Sequence, residues 1–229
     1  MTIFQSTEPI VRIKQQHLDV QDLTGLLKVN WKIGNYTLHS GLYTRIDQVF
    51  LLWGLISLII FITAQFFPIS WIDQAYYWSG LTLIATIGMI FLTYYWVRIE
   101  QVTWLIYCWA LLMLIGVGLT NLGIFCGWSQ ILANLCPLWL IVCALGYLAT
   151  GIALQSRSFA LAGLLHCLAI PLLSYLIGWQ FLATGIILAG TLLFFAEVQW
   201  DMRSPIESPL LTVEQLAFNR EQLYKRQME

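Results

Sequence analysis

Only one histidine lies within the long apolar stretches of this 229-residue sequence. Its imidazole could act as an axial ligand to a metal in a pigment or a haem. His166 falls in a run without charged residues between Arg157 and Glu197. An ionisable group in such a run is costly to bury in lipid and is therefore a functional candidate. A haem held by two histidines needs a second one, and His17 and His39 lie in the polar N-terminal segment. His166 therefore indicates either a single axial ligand for a chlorophyll or a haem, or a hydrogen-bonded histidine in the protein interior.

A second group of polar side chains recurs near those ends of the apolar stretches where the flanking loops lack basic residues. Its members are Gln65, Asp73, Asn121, Asn134 and Thr184. Asn121 and Asn134 flank the same turn, so we expect them to be close in space. Together these groups can line a shallow, outward-facing polar pocket for a small solute. The alternative is interfacial solvation and interhelical hydrogen bonding, worth about 1 kcal/mol for each bond.

The remaining reactive residue types form no recognisable catalytic pattern. The sequence contains no HExxH, GxSxG, P-loop or SxxK motif and no paired carboxylates, which excludes metalloprotease, hydrolase and ATPase chemistry as encoded motifs and leaves only an unfamiliar intramembrane enzyme open. We therefore expect a protein without enzymatic activity, and neither a cofactor nor a metal is predicted. The five cysteines lack metal-binding spacing; Cys126 and Cys136 either form a disulfide in an oxidising compartment or fill apolar space. Glu197, close to a basic loop, is expected to reach the membrane boundary or to pair with Arg98.

The composition indicates which solvent surrounds these residues. Hydrophobic residues make up 59% of the chain and charged residues 10%, with a mean hydropathy of +0.74. Soluble domains carry about 25% charged residues, and a chain of this length cannot bury so much apolar surface in water. A soluble enzyme, a secreted disulfide scaffold and a disordered chain are therefore excluded, and an integral membrane protein is predicted.

The charge-free stretches divide into membrane-spanning helices. A hydrocarbon layer of roughly 30 Å takes about 20 helical residues, and continuous apolar runs favour helices over the alternating strands of a barrel. We therefore predict an all-α, six-helix transmembrane bundle. The spans are 50–67, 74–97, 102–125, 131–154, 159–177 and 181–199. The fifth is short and contains Pro171, so it is expected to be kinked or re-entrant.

The distribution of lysine and arginine predicts the orientation. All 11 basic residues fall in the N-terminal tail, the second and fourth loops, or the C-terminal tail, and Asp73 is the only charge in the other three loops. By the positive-inside rule both termini are cytoplasmic. The Trp-, Leu- and Ile-rich spans with polar tails are typical of a bacterial inner membrane or of a thylakoid membrane.

Both polar tails carry signals of local structure. The sequence divides into an N-terminal tail (1–48), a transmembrane domain (49–200) and a C-terminal tail (201–229). In the first tail, alternating residues 29–33, a turn at Gly34 and Asn35, and residues 36–38 predict a β-hairpin. In the second, Thr212 and Gln215 form a capping box before an amphipathic helix. Its apolar stripe is Val213, Leu216, Ala217 and Tyr224.

Small residues four positions apart mark places where helices approach closely. These pairs are Gly146 and Thr150, Ala149 and Ala153, and Gly185 and Ala189. Such spacing suits packing inside the bundle and self-association equally well. The pairs therefore predict tight helix contacts without identifying the partner helix.

Three functional hypotheses follow. The first is a scaffold, assembly or accessory subunit that binds other membrane proteins, since few ionisable groups lie in the spans and the tails are ordered. The second is a small-solute transporter or channel that uses the outward-facing polar pocket. The third is a pigment- or haem-binding subunit that uses His166. The expected partners are the lipid bilayer and either other membrane proteins or a second copy; nothing in the sequence indicates nucleic-acid binding.

Overall fold

The computed structural model describes residues 9–14, 17–34 and 36–228. In chain order its elements are β1 (Val11–Ile13), α1 (Val20–Leu23), β2 (Leu27–Ile33), β3 (Tyr36–Tyr43), α2 (Arg45–Phe66), α3 (Trp71–Ile99), α4 (Thr103–Phe125), α5 (Ser129–Leu132), α6 (Leu135–Leu154), α7 (Arg157–Leu172), α8 (Gln180–Glu197), β4 (Val198–Trp200) and α9 (Val213–Met228). Six helices (α2, α3, α4, α6, α7 with its extension, and α8) are long and apolar enough to cross a membrane. The chain is mostly helical, and the predicted number of six spans is confirmed.

The helix ends differ from the predicted spans where capping or a short turn intervenes. The first span begins five residues earlier, at Arg45, because Thr44 and Asp47 form a reciprocal capping box. The fourth begins at Leu135, since the residues before it form the separate short helix α5. The sixth ends at Glu197, two residues before the predicted end, because the chain then pairs as strand β4.

The fifth span is continuous and helical, and the re-entrant alternative is not tested by its length and hydropathy. Helix α7 passes without a break into a 3₁₀ turn, Leu173–Tyr175, and the two together have the length and hydropathy of a span. Pro171 lies in the last α-helical turn. A proline removes one backbone donor, and here the tighter 3₁₀ turn follows directly after it.

The spanning helices pack in the spatial order α8, α2, α3, α4, α6 and α7, and both α6 and α7 also touch α8. Helix α2 lies closest to α8 where Gly185 faces Phe61: a Cβ at Gly185 would lie 2.5 Å from the Phe61 Cβ. Helix α6 approaches α4 where Gly146 makes room for the indole of Trp109. These two glycines therefore make close helix contacts within the chain.

The polar segments assemble on one side of the bundle, called here the terminal face. Helices α2, α4 and α7 begin there, and α3, α6 and α8 end there. Strand β1 pairs antiparallel with β4, with Val11 opposite Trp200, and so joins the N-terminal segment to the end of α8. Helix α1 contacts both α3 and α9. The opposite side, with the loops that follow α2, α4 and α7, is called the far face.

The predicted N-terminal hairpin is confirmed and is longer than expected. Strands β2 and β3 pair antiparallel from Leu27 opposite Tyr43 to Ile33 opposite Tyr36, with a register shift between Trp31 and Lys32. Gly34 has the positive φ of 59° that a tight turn needs. The other predicted turn residue, Asn35, lies outside the described residues.

The predicted C-terminal helix is confirmed, but the face that packs against the rest of the protein is not the predicted apolar stripe. The Thr212 backbone N–H donates to Gln215 Oε1 (2.9 Å) and the Gln215 N–H to Thr212 Oγ1 (3.3 Å), which completes the capping box. Val213 and Tyr224, which belong to the predicted apolar stripe, are 83% and 63% exposed. The helix instead packs through polar side chains, because Asn219 and Gln222 are each 8% exposed.

Candidate functional site

The residues of the predicted polar pocket have separate hydrogen-bonding roles at the far face. Gln65 joins the end of α2 to the loop before α8: its Nε2 donates to the Gly178 carbonyl (2.8 Å) and its Oε1 accepts from the Leu182 N–H (3.1 Å). Asn121 pairs with Ser79 across α4 and α3, with Asn121 Nδ2 donating to Ser79 Oγ at 2.9 Å. Both side chains therefore have structural partners.

The other three members of that set are also engaged locally or buried. Asp73 lies in the first turn of α3 and accepts a hydrogen bond from the Ser70 hydroxyl (2.6 Å). Asn134 Nδ2 donates to the Gln130 carbonyl one turn earlier (2.8 Å). Thr184 is fully buried. No hydrogen bond joins any two of the five side chains, and the outward-facing pocket stays a prediction.

His166 is fully enclosed between α7 and α6. Its exposed fraction is 0%, its Nδ1 lies 2.7 Å from the Ala162 carbonyl, and its ring centroid lies 4.9 Å from that of Tyr147. Nε2 is buried without a hydrogen-bonding partner among the described residues. The enclosed ring, with Nδ1 beside the Ala162 carbonyl, has the geometry of an interior histidine, and the axial-ligand role stays a prediction.

The small-residue pairs lie inside the bundle. Gly146 leaves space for the indole of Trp109, and Thr150 Oγ1 accepts a hydrogen bond from Trp109 Nε1 (3.0 Å). The Gly146 and Thr150 pair of α6 therefore holds α4 against α6. Ala149 and Ala153 pack against the main hydrophobic core. On α8, Gly185 faces Phe61 and Ala189 is 2% exposed. Cys126 and Cys136 are free thiols, the first exposed and the second buried.

A central cavity of about 140 Å³ lies among α2, α3, α4, α6 and α8. Its walls are mainly aliphatic and aromatic and include six tryptophans: Trp53, Trp78, Trp96, Trp109, Trp139 and Trp200. The lining also contains the hydroxyl side chains of Ser57, Thr82, Thr93 and Thr150. The space suits an apolar guest.

A second cavity, of about 100 Å³, lies at the terminal face and is lined by charged side chains. It is called the charged cavity. Three of its carboxylates have ion-pair partners within the described residues. Lys14 Nζ lies 2.9 Å from Asp47 Oδ2, Arg203 Nη1 lies 3.4 Å from Glu100 Oε2, and Arg226 Nη1 lies 3.2 Å from Asp19 Oδ1. Two of these pairs join a tail to the end of a spanning helix, and the pair of Arg226 with Asp19 joins the two tails to each other.

Asp22 is the fourth carboxylate of the charged cavity and has a different environment. Its Oδ1 accepts a hydrogen bond from Trp96 Nε1 at 3.0 Å, and no ion pair to it is formed among the described residues. Burial, together with the negative charges of Asp19 and Glu100, raises the pKa of Asp22 to about 7, although the Trp96 hydrogen bond and Arg226 oppose the shift.

An amide network holds the two tails together beside the cavity. Gln21 Nε2 donates to Glu100 Oε1 (3.1 Å), and Gln21 Oε1 accepts from Asn219 Nδ2 (3.1 Å). Asn219 Oδ1 in turn accepts from the Val20 backbone N–H (2.9 Å). These three hydrogen bonds position α1, and thereby Asp22, against the end of α3.

A second anchoring point lies where β4 ends. Asp201 accepts hydrogen bonds from the Ser156 hydroxyl, from the Ser158 N–H (2.9 Å) and from Arg157 Nε (2.9 Å), so it caps the start of α7. Burial alone would raise the pKa of Asp201, but hydrogen bonds from Ser158 and Arg157 outweigh it and hold the pKa below its usual value. Glu197 accepts from the Tyr43 hydroxyl at 2.7 Å, and of the two predicted alternatives an ion pair with Arg98 is not formed among the described residues.

Sequence reasoning missed the charged cavity because it treated the charges of the tails and loops mainly as markers of orientation. A signal was present: 11 of the 12 acidic residues lie on the same side of the spans as all 11 basic residues. Equal numbers of opposite charges confined to one face favour ion pairing. The individual partners are not readable from the sequence, since Asp19 and Arg226 are 207 positions apart.

Comparison with protein-family models, with curated proteins and with solved structures finds no match to this chain. The interpretation of the site therefore depends on its geometry.

Proposed function

We propose that this multi-pass membrane protein is a non-enzymatic accessory or assembly subunit, and that it binds another membrane protein through the β2–β3 hairpin. The observation that supports this proposal is the exposure of the hairpin. Trp31, Ile33 and Tyr36 are 69%, 68% and 81% exposed. An isolated two-stranded hairpin is at best marginally stable in water, so a hairpin that carries these side chains needs a covering surface.

The hairpin also offers backbone groups to a partner. Within the described residues, β2 and β3 form a sheet of two strands, so each strand has one edge without a neighbour. Such an edge accepts a third strand through main-chain hydrogen bonds, and the side chains beside it supply specificity. The competing interpretation is that Trp31 and Tyr36 lie on the lipid headgroups, since the hairpin leads directly into α2.

We further propose that the terminal face is cytoplasmic, as the positive-inside rule requires. The hairpin would then bind a cytoplasmic segment of its partner.

Site-specific photocrosslinking in native membranes tests the proposal. A photoreactive phenylalanine analogue replaces Tyr36, and in a matched control it replaces Tyr224, which is 63% exposed on α9. We expect a protein adduct of one defined mass from position 36 and none of that mass from position 224. Replacing Trp31 and Ile33 with serine should abolish the adduct without changing the melting temperature. Crosslinks from position 36 to lipid alone would contradict the proposal.

A further inference from the structure

The lining of the central cavity contains one buried hydrogen-bond donor that has no acceptor among the described residues. Three tryptophans of the lining donate their indole N–H to protein oxygens: Trp96 to Asp22 (3.0 Å), Trp109 to Thr150 (3.0 Å) and Trp139 to Thr120 (3.2 Å). Trp78 differs from them: it is 7% exposed, and its buried Nε1 has no such partner. A buried donor without an acceptor is unfavourable, so Trp78 indicates a ligand that completes the hydrogen bond.

Two hydroxyl side chains of the lining lie at a similar depth in the bundle. Thr82 follows Trp78 by about one turn of α3 and is buried, and Ser57 belongs to α2. Helices α2 and α3 run antiparallel and are joined by residues 67–70. Counted from the far face, Trp78 and Thr82 lie about 11 and 17 Å along α3, and Ser57 about 14 Å along α2. The cavity therefore offers polar groups at the level of Trp78.

The volume and the lining limit the kind of guest. The central cavity has a volume of about 140 Å³, and an engineered apolar cavity of about 150 Å³ in another protein binds benzene. The guest is therefore a single ring or a molecule of that size. Among the described residues that line the cavity, none carries a carboxylate, ammonium, guanidinium or imidazole group. A charged guest would be buried without a counter-charge, which is unfavourable.

We propose that the central cavity binds one uncharged ring molecule of about benzene size, and that a carbonyl or ether oxygen of this molecule accepts a hydrogen bond from Trp78 Nε1. The hydroxyls of Ser57 and Thr82 are available for a second hydrogen bond. The site lies inside the bundle and does not involve the β2–β3 hairpin, so either proposal can fail without the other.

Two probes of nearly equal shape, cyclohexanone and methylenecyclohexane, test the hydrogen bond, because only the ketone has an oxygen acceptor. Binding is measured by NMR on the full chain in mild detergent, with tryptophan isotope-labelled at the indole nitrogen. We expect both probes to bind saturably. Trp78→Phe should weaken cyclohexanone about three- to tenfold, as the loss of one neutral hydrogen bond predicts, and leave methylenecyclohexane within about twofold.

The indole resonances report on the same contact directly. The N–H resonance of Trp78 is the one that is absent from the spectrum of Trp78→Phe. We expect cyclohexanone to shift it downfield and methylenecyclohexane to shift it much less. If Trp78→Phe does not fold, 3-benzothienylalanine at position 78 keeps the shape of the indole and lacks the N–H.

Filling the cavity tests where the probes bind. Ser57 lines the cavity, so Ser57→Phe should abolish binding of both probes. Gly118→Phe is the matched control, since a Cβ there meets no atom within 4 Å, and it should bind both probes as the unmodified protein does. If Ser57→Phe does not fold, Leu192→Trp enlarges another side chain of the lining.

Four outcomes would overturn the proposal. The first is no saturable binding of either probe, which would leave the space to water. The second is an equal effect of Trp78→Phe on the two probes. The third is unchanged binding by the cavity-filling variants. The fourth is binding of the charged analogue cyclohexylammonium as tight as that of cyclohexanone.

Discussion

Asp22 shows how a single side chain acquires its properties from neighbours that are distant in sequence. The residue belongs to the N-terminal segment, yet its carboxylate meets Trp96 of α3 and lies near Asp19, Glu100 and the Arg226 guanidinium. Burial and the two acidic neighbours favour the protonated form. The raised pKa is therefore a property of the assembled terminal face and not of the local sequence.

The first prediction concerns the pH dependence of stability. A folded-state pKa of about 7, against about 3.9 in an unfolded chain, means that the folded protein binds the proton more tightly. The resulting stabilisation is complete below pH 4 and is lost as the pH rises to 7. Asp22→Asn should therefore raise the free energy of unfolding by about 1–3 kcal/mol at pH 8 and by much less at pH 5.

Melting temperatures of the two proteins at pH 5 and pH 8 provide the measurement. Each 1 kcal/mol corresponds to about 2–4 °C for a chain of this size. Glu221→Gln is the control, since Lys225 lowers the pKa of that exposed carboxyl and the change should leave the pH dependence above pH 5 as it is. An equal effect of Asp22→Asn at both pH values would contradict the raised pKa.

At the scale of elements, the small-residue pairs show what a spacing pattern can and cannot reveal. Gly185 and Ala189 satisfy the motif for close helix approach, and the motif is equally compatible with a second copy of the chain. In the structure, Gly185 faces Phe61 of α2 and Ala189 is buried. Both therefore serve packing between α8 and α2.

The second prediction compares two glycines of the same helix. A methyl group at Gly185 would lie 2.5 Å from the Phe61 Cβ, whereas at Gly190 it would meet no atom within 4 Å. Gly185→Ala should destabilise the protein by about 1–3 kcal/mol through overpacking. Gly190→Ala should be neutral, or stabilising by up to about 1 kcal/mol through helix propensity. Thermal unfolding in detergent measures both, and equal effects would show that the close contact is not rigid.

At the scale of the whole molecule, the six spans bring both tails to one face, where β1 pairs with β4 and α1 contacts α9. The two tails therefore form one ordered cap together with the helix ends. Burying ion pairs there costs desolvation, and the amide network of Gln21 and Asn219 satisfies polar groups beside them.

The third prediction concerns orientation. Cys126 ends α4 at the far face and is exposed, so a membrane-impermeant maleimide should label it in intact cells. Inverted vesicles should protect it, and tags on the two termini should show the opposite accessibility. Cys126→Ser controls for labelling at other thiols. Labelling of Cys126 only in inverted vesicles would place the terminal face outside.

Structural features that depend only on neighbouring residues in the chain could be predicted from the sequence. The hydrophobic thickness of a bilayer sets the length of each span, so the charge-free stretches predicted six helices. The β2–β3 hairpin and the Thr212 capping box follow from turn and capping chemistry over three to five residues. These features depend on backbone geometry and on lipid as a solvent, and neither requires knowledge of the partner elements.

Only the tertiary structure decided which side chains meet. The partnership of Asp19 with Arg226, the hydrogen bond from Trp96 to Asp22, and the place of Trp96 in the walls of two cavities depend on how six helices are rotated and on how the tails fold back. The sequence of a membrane-spanning helix does not predict which of its faces points into the bundle, because nearly every face is apolar. The sequence by itself therefore determined the membrane class and the number of spans, and packing decided where a site is formed.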